Sequence, residues 1–222
     1  MSSLTEHFER YALVSLEKQA RLFSLLGAHV LDLDLDAGIA RFNDLAIPFQ
    51  VLGTESDNAL TWLWAWADEQ EEVPDSLLTA AKELKAWGGK NDLPELIIPS
   101  LDLNRADGMF LSLIASGVCK ASGYYRDPYE GGATFLLLHG IALDDRQVFD
   151  RTGLVRQIGD LAARYDFNHR NALLSYFTAK SIPVSVAGNT VGAELSSGER
   201  LMAEFSSRGQ IVTINGEAFL PE

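Results

Sequence analysis

The chain has 222 residues, 47% of them hydrophobic and 22% charged, enough for one large domain or a main domain with a smaller addition. Its formal net charge of −13 opposes binding to phosphate backbones, so nucleic acid is not an expected partner. The single cysteine, Cys119, excludes an intramolecular disulfide and a thiolate zinc site, and no apolar run approaches the roughly 20 residues that span a bilayer. The polar start Met1-Ser-Ser-Leu-Thr-Glu6 has no basic region leading into an apolar one, so a cytoplasmic location is expected, with no membrane partner. Acidity is concentrated early: residues 1–140 hold 21 of the 31 acidic side chains, which first suggests a solvated acidic surface on that part.

A helix is expected from Ser3 to Leu26. Ser3 and Glu6 have capping-box spacing, Phe8, Tyr11, Ala12, Leu16, Leu22, Phe23 and Leu26 keep one face apolar, and Gly27 is a stop. Val30–Asp36 alternates leucine with aspartate, Asp36-Ala-Gly38 is a turn, and Ile39–Phe42 returns as a second strand. Two more strands follow, Ile47–Glu55 and Leu60–Ala67. The second carries Trp62, Trp64 and Trp66, three of the four tryptophans, at alternate positions, so a regular strand aims all three to one face.

If Asp57-Asn58 is the turn, Gly53 lies opposite Trp62, Val51 opposite Trp64 and Phe49 opposite Trp66. Both faces of this hairpin are then apolar, as expected for a central hairpin covered on each side. Pro74-Asp75 opens a second helix, running to Trp87 and stopped by Gly88-Gly89, and Pro94–Leu103 reads as an extended connection. A third helix is expected from about Asn104 to Ala121. Tyr124-Tyr125 and Ala133–Leu138 form a hairpin around the loop Arg126–Gly132. Helices near Val148–Tyr165 and His169–Lys180 precede short strands that include Arg200–Phe205 and Gln210–Ile214. The fold class is therefore α+β: an antiparallel sheet of hairpins packed with helices, plus a smaller C-terminal helix-and-strand part. The division is a 1–140 domain and a 141–222 extension, left open as a separate domain or part of the same fold.

The pattern Gln50-Val-Leu-Gly-Thr-Glu-Ser followed by Thr61-Trp-Leu-Trp-Ala-Trp-Ala-Asp68 resembles an uncharacterised family of bacterial proteins, a domain of unknown function. The family's recurrent form is a Gln-Val-Leu-Gly-Ser/Thr strand followed by Trp-Leu-Trp-Ala-Trp-Ala-Asn. Gly38, Phe42 and the later Gly123-Tyr-Tyr-Arg-Asp-Pro128 extend the resemblance over roughly residues 1–140. Asp68 departs from the family asparagine; it keeps an acceptor and loses a donor. The resemblance implies a fold and no activity.

Several constellations offer chemistry. The tryptophan ladder is an aromatic platform for a flat ligand or, more simply, core packing. Asp32, Asp34 and Asp36 have calcium-loop spacing, but Ala37 replaces the required glycine and Asn43 the bidentate glutamate, so strand alternation explains them. His7, His29, His139 and His169 are scattered, with no metal-ligating pair on one element. Asp68, Glu69, Glu71, Glu72 and Asp75 precede a helix and suit its positive end. The segment Tyr124-Tyr125-Arg126-Asp127-Pro128-Tyr129 is the most ligand-facing by composition.

These features favour a non-catalytic cytosolic binding or interaction protein with an unknown protein or small-molecule partner, no cofactor and no metal. The oligomeric state is left open. Candidate ligand-facing residues are Trp62, Trp64, Trp66, Tyr124, Tyr125, Arg126 and Tyr129. No catalytic residue is identified. The alternative is a hydrolase-type site assembled near the Tyr125/Arg126 loop, with His139 and a carboxylate.

Overall fold

A computed structural model describes residues 3–69, 73–142, 149–195 and 197–219. The fold is α+β with two antiparallel sheets, and the chain divides into two compact units. The first unit is Met1–Leu4 with Lys18–Leu143; the second is Thr5–Glu17 with Asp144–Glu222. Residues 5–17, placed in the 1–140 domain from sequence, thus cluster with the C-terminal part. No described helix is long and apolar enough to cross a membrane.

Helix α1 (Leu4–Leu26) stops at Gly27, which takes a φ of +56°. Strands β1 (Leu31–Asp34) and β2 (Ile39–Phe42) form the expected hairpin. In its turn, Asp34 Oδ1 accepts the Ala37 N–H at 2.9 Å and Gly38 supplies a φ of +68°. Leu31 and Leu33 pack on the apolar interior, as their alternation requires.

The next hairpin differs in register. Strand β3 (Leu45–Ser56) pairs with β4 (Thr61–Trp64), Gly53 lying opposite Trp64 and Glu55 opposite Trp62. The connection is four residues long, not two: Ser56 pairs with Thr61, and Leu60 takes a φ of +52°. A turn longer by two residues moves the register by two and leaves the facing sides unchanged. Trp66 leaves the strand altogether, because Ala65–Ala67 winds into a 3₁₀ turn.

Strands β5 (Ser100–Asp102), β6 (Gly123–Tyr129) and β7 (Gly132–Leu138) complete the first sheet, β5 on β4, β7 on β3 and β6 on β7. Against β7, β3 carries an extra residue between Val51, opposite Leu136, and Gly53, opposite Phe135. Neighbours on β7 point to opposite faces, so this bulge sends Val51 and Gly53 to opposite faces as well. Phe49 and Val51 therefore join the cluster of Ile47, Phe42, Leu136 and Leu138 instead of the tryptophans.

Helix α2 (Thr79–Lys90) continues through Gly88-Gly89 where a stop was expected. Gly88 is there for contact: a Cβ would fall 2.5 Å from Leu96 Cβ. Leu96 sits in a 3₁₀ turn, Pro94–Leu96, inside the expected extended connection. Helix α3 is Gly108–Val118, shorter than the expected span because Asp107 caps it, accepting the Phe110 N–H at 2.8 Å.

The second unit holds α4 (Arg151–Arg164), α5 (His169–Ala179) and a five-stranded meander. Its strands are β8 (Val184–Ala187), β9 (Thr190–Glu194), β10 (Arg200–Phe205), β11 (Ile211–Ile214) and β12 (Glu217–Ala218). Val148, the expected start of α4, lies outside the described residues. Alternation along β10 buries Leu201, Ala203 and Phe205 and exposes Arg200, Met202 and Glu204.

The α1 segment of this unit contributes Phe8, whose ring meets Tyr165 at 5.2 Å and Phe167 at 5.4 Å, and two buried carboxylates. Glu9 accepts the Asn168 N–H and the Asn171 amide at the start of α5. Glu17 pairs with Lys180 just past the end of α5, and accepts from the Tyr176 hydroxyl and the Phe149 N–H. Two contacts in the same order along both helices make them run parallel.

Candidate functional site

Trp62 and Trp64 are 0% exposed. Their rings meet edge to face at 5.3 Å, and Trp62 meets Phe135 in the same way at 5.3 Å. Trp64 Nε1 donates to the Glu95 carbonyl at 3.0 Å, which anchors the 3₁₀ turn before β5. Two glycines admit the Trp62 ring: a Cβ at Gly53 would fall 2.4 Å from its Cζ2, and one at Gly108 2.8 Å from its Cζ3. A stacking platform needs open ring faces, and these two rings have none. Trp66 is half-buried, with the Lys85 ammonium 3.4 Å from its ring centroid.

The expected loop at Arg126–Gly132 is mostly strand, with Glu130-Gly131 as the whole turn. Tyr125 lies opposite Leu136 and Arg126 opposite Phe135, so the two side chains project from opposite faces. The two side chains therefore meet different neighbours.

Each has a different neighbourhood. Tyr124 is buried, and its N–H and carbonyl are both taken by the Gln19 side-chain amide, at 2.9 and 2.6 Å, as a neighbouring strand would take them. The Tyr125 hydroxyl meets His29 Nε2 at 3.0 Å. His29 Nδ1 lies 2.8 Å from the Gly27 carbonyl, which can only accept, so in the neutral ring Nδ1 carries the proton and Nε2 accepts from the tyrosine. Burial, helped by Asp127, pushes the Tyr125 hydroxyl above its ordinary pKa, so it remains a neutral donor.

Arg126 Nε stands 3.8 Å from Glu55 Oε2, and Tyr129 Oη donates to the Glu55 carbonyl at 3.2 Å. Glu55 is the residue that sequence reasoning missed. It faces Trp62 across the hairpin and accepts the Gly108 N–H, where α3 begins. Burial raises its pKa, the Gly108 hydrogen bond works against that, and Asp107 adds to it. The signal was present: a lone carboxylate two residues beyond Gly53 lands on the same interior face as that glycine. Its partners make it a cap for α3.

The other chemistry in this unit collects in a cleft of about 320 Å³, lined by Pro48, Phe49 and Gln50 of β3, Thr79, Ala80 and Glu83 of α2, and Cys119 and His139. Gln50 builds its floor: its amide donates to the Ser76 carbonyl at 2.9 Å and accepts the Ala80 N–H at 3.1 Å, capping α2. The Cys119 thiol lies 3.7 Å from the Ala80 carbonyl and is pushed up to about 12 by burial and then by Glu83. It stays protonated and is no nucleophile.

His139 is held by its backbone, whose N–H donates to the Pro48 carbonyl at 2.9 Å. Burial lowers its pKa, with Glu83 opposing, so the ring is neutral near pH 7. Its Nε2 is buried and has no hydrogen-bond partner among the described residues. A neutral imidazole offers one donor and one acceptor, so this atom can complete a hydrogen bond to a polar group entering the cleft.

Among the described residues no group of three or more histidine, cysteine, aspartate or glutamate side chains could hold a metal ion. Of the acidic run, Asp75 pairs with Lys82 at 3.0 Å on the surface, and Glu71 and Glu72 lie outside the described residues. The pattern of DUF6882, a family of unknown function, matches residues 5–141. That span holds the Gln50 strand, the Trp62–Trp66 segment and the whole His139 cleft. No curated protein and no solved structure is detectably similar to the chain.

Proposed function

The chain belongs to the DUF6882 family, and from that premise we propose that it is a non-catalytic cytoplasmic binding protein whose family domain takes a small, neutral, hydrogen-bonding ligand in the His139 cleft. The observation that carries this reading is the buried Nε2 of His139, left without a partner in a cleft near the lower end of the size range of ligand pockets. An unsatisfied buried polar atom costs about 1–3 kcal/mol, and a ligand that satisfies it recovers part of that cost. Cys119, held protonated, and Gln50, committed to α2, contribute no reactive group, which favours binding over covalent chemistry. Localisation in the cytoplasm rests on the single cysteine, which leaves no intramolecular disulfide to form.

The test is a ligand titration followed at the His139 ring nitrogens by ¹⁵N NMR, using a fragment library of neutral amides, ureas and alcohols. A fragment that moves the His139 signals, and binds about tenfold less tightly to His139→Leu, supports the assignment. If no fragment moves those signals, or fragments bind wild type and His139→Leu alike, the cleft is not the site.

A further inference from the structure

The second unit contains a larger cleft, of about 570 Å³, between one face of α4 and the β11–β12 turn. Its α4 wall recurs at helical spacing: Arg151 and Thr152, then Val155 and Arg156, then Gly159 and Asp160. The charges are ordered along that wall, two guanidiniums toward the helix start and a carboxylate at Asp160. At 1.5 Å per residue, Asp160 stands about 6 Å along the axis from Arg156. Glu217 adds a second carboxylate from β12, and Phe219 presents an aromatic ring.

Arg156 is exposed and makes no hydrogen bond or ion pair among the described residues. Arg151 is loosely held, its Nε 3.8 Å from Glu199 Oε1. An unpaired guanidinium in a concave site is a ready partner for a carboxylate. Gly159 keeps the middle of the cleft open: a Cβ there would meet only Phe219 Cζ, at 3.9 Å.

We propose that this cleft binds a small amphoteric molecule, an apolar α-amino acid or dipeptide. Its carboxylate sits at Arg151 and Arg156, its apolar side chain lies on Phe219, and its ammonium faces Asp160 or Glu217. The two carboxylates argue against a polyanion such as a nucleotide, and the cations argue against a plain amine. The cleft lies wholly outside the span matched by the family, so this site and the His139 cleft stand independently.

Isothermal titration of the full chain with L-phenylalanine, alanyl-phenylalanine, N-acetyl-phenylalanine and phenylalaninamide tests it. The expected result is binding of one of the first two, with the acetylated and amidated probes each about tenfold weaker or worse. The stronger of the first two identifies the amino acid or the dipeptide as the source. Arg156→Gln, on the surface, is expected to weaken that probe about tenfold, and Gly159→Leu, which fills the cleft, to abolish binding. Gly159→Leu replaces a helix-interior glycine with a better helix former, so the fold tolerates it, and circular dichroism verifies that. No heat from any probe at millimolar concentration, equal affinity for the amide and the acid, or affinity unchanged in Gly159→Leu would overturn the proposal.

Discussion

In the first unit rings fitted against glycines fill much of the interior, beside the buried Glu55 and Glu95, whereas in the second the α1 segment is held through two buried carboxylates, Glu9 and Glu17. The Trp62 ring is closed in by Gly53, Gly108 and Phe135, and among its described residues the unit leaves Trp62 Nε1, Trp66 Nε1, Ser112 Oγ, Ser116 Oγ and His139 Nε2 buried without hydrogen bonds. The second unit buries Glu9 and Glu17 of α1, and each accepts from more than one donor. Among its described residues, only Arg170 Nε is a buried side-chain polar atom without a partner. Close packing offsets a few orphaned dipoles, since a neutral group left unsatisfied costs about 1–3 kcal/mol, less than a buried, unpaired charge. A buried carboxylate tolerates no such omission. The tryptophan core of the first unit is thus sensitive to volume, and the α1 carboxylates of the second to charge.

The largest expected effect tests the charge side. Glu17 is 2% exposed and Lys180 7%, and Glu17→Ala takes from that ammonium its carboxylate partner. A loss of about 3–5 kcal/mol in the second unit is expected. The double change Glu17→Met with Lys180→Met should recover most of it, since the desolvation cost disappears with the charges. Hydrogen exchange of the α5 amides reads the outcome, and a double variant no more stable than Glu17→Ala would mean that the pair is not the determinant.

The next effect tests the volume side. In Gly53→Ala the new Cβ would fall 2.4 Å from the Leu63 backbone oxygen and 2.4 Å from Trp62 Cζ2, neither a flexible end. A cost of about 3 kcal/mol, the upper end of ordinary overpacking, is expected in the first unit. All four tryptophans lie in that unit, so urea unfolding followed by tryptophan fluorescence reads it alone. A midpoint within error of wild type would refute the close fit.

The sequence made this contrast half legible. Alternation and glycine signals placed α1, the first hairpin and the tryptophan strand, because periodicity is a local property. The register of β3 against β4 was not local. It depended on a four-residue turn with Leu60 at positive φ, which a leucine does not announce. The bulge at Val51–Gly53 depended on β7, some 80 residues later, so nothing in the hairpin's own sequence separated Phe49 and Val51 from the tryptophans. Gly88 read as a helix stop because sequence cannot distinguish a glycine needed for conformation from one needed for contact. The His139 cleft gathers Gln50, Glu83, Cys119 and His139 from four separate stretches, a set that no spacing rule connects.

The smallest effect concerns pH and should separate the units by sign. In the second unit His169 is 5% exposed, and its Nδ1 accepts the Ile211 N–H at 3.2 Å, an arrangement open only to a ring unprotonated at that atom. Burial lowers the pKa of His169, with Asp166 opposing, and burial and then Arg10 lower that of His7 in the same unit, with Glu6 opposing. Below pH 6.5 the unfolded histidines take up protons before the folded ones, so stability present above 6.5 is lost as pH falls through the folded values. The loss is at most about 1.4 kcal/mol per pH unit for each histidine. In the first unit His139 acts in that direction, but Glu55, whose folded pKa is raised above 4.5, contributes stability present below 4.5 and lost as pH rises through its folded value. Acidification from pH 7 to 5 should therefore weaken the second unit more. His169→Gln, whose amide oxygen can still accept from Ile211, should remove roughly half of that slope. Equal slopes in the two units, with Ile211 exchange against tryptophan fluorescence as the readouts, would sink the distinction. An unchanged slope in His169→Gln would move the titration to His7.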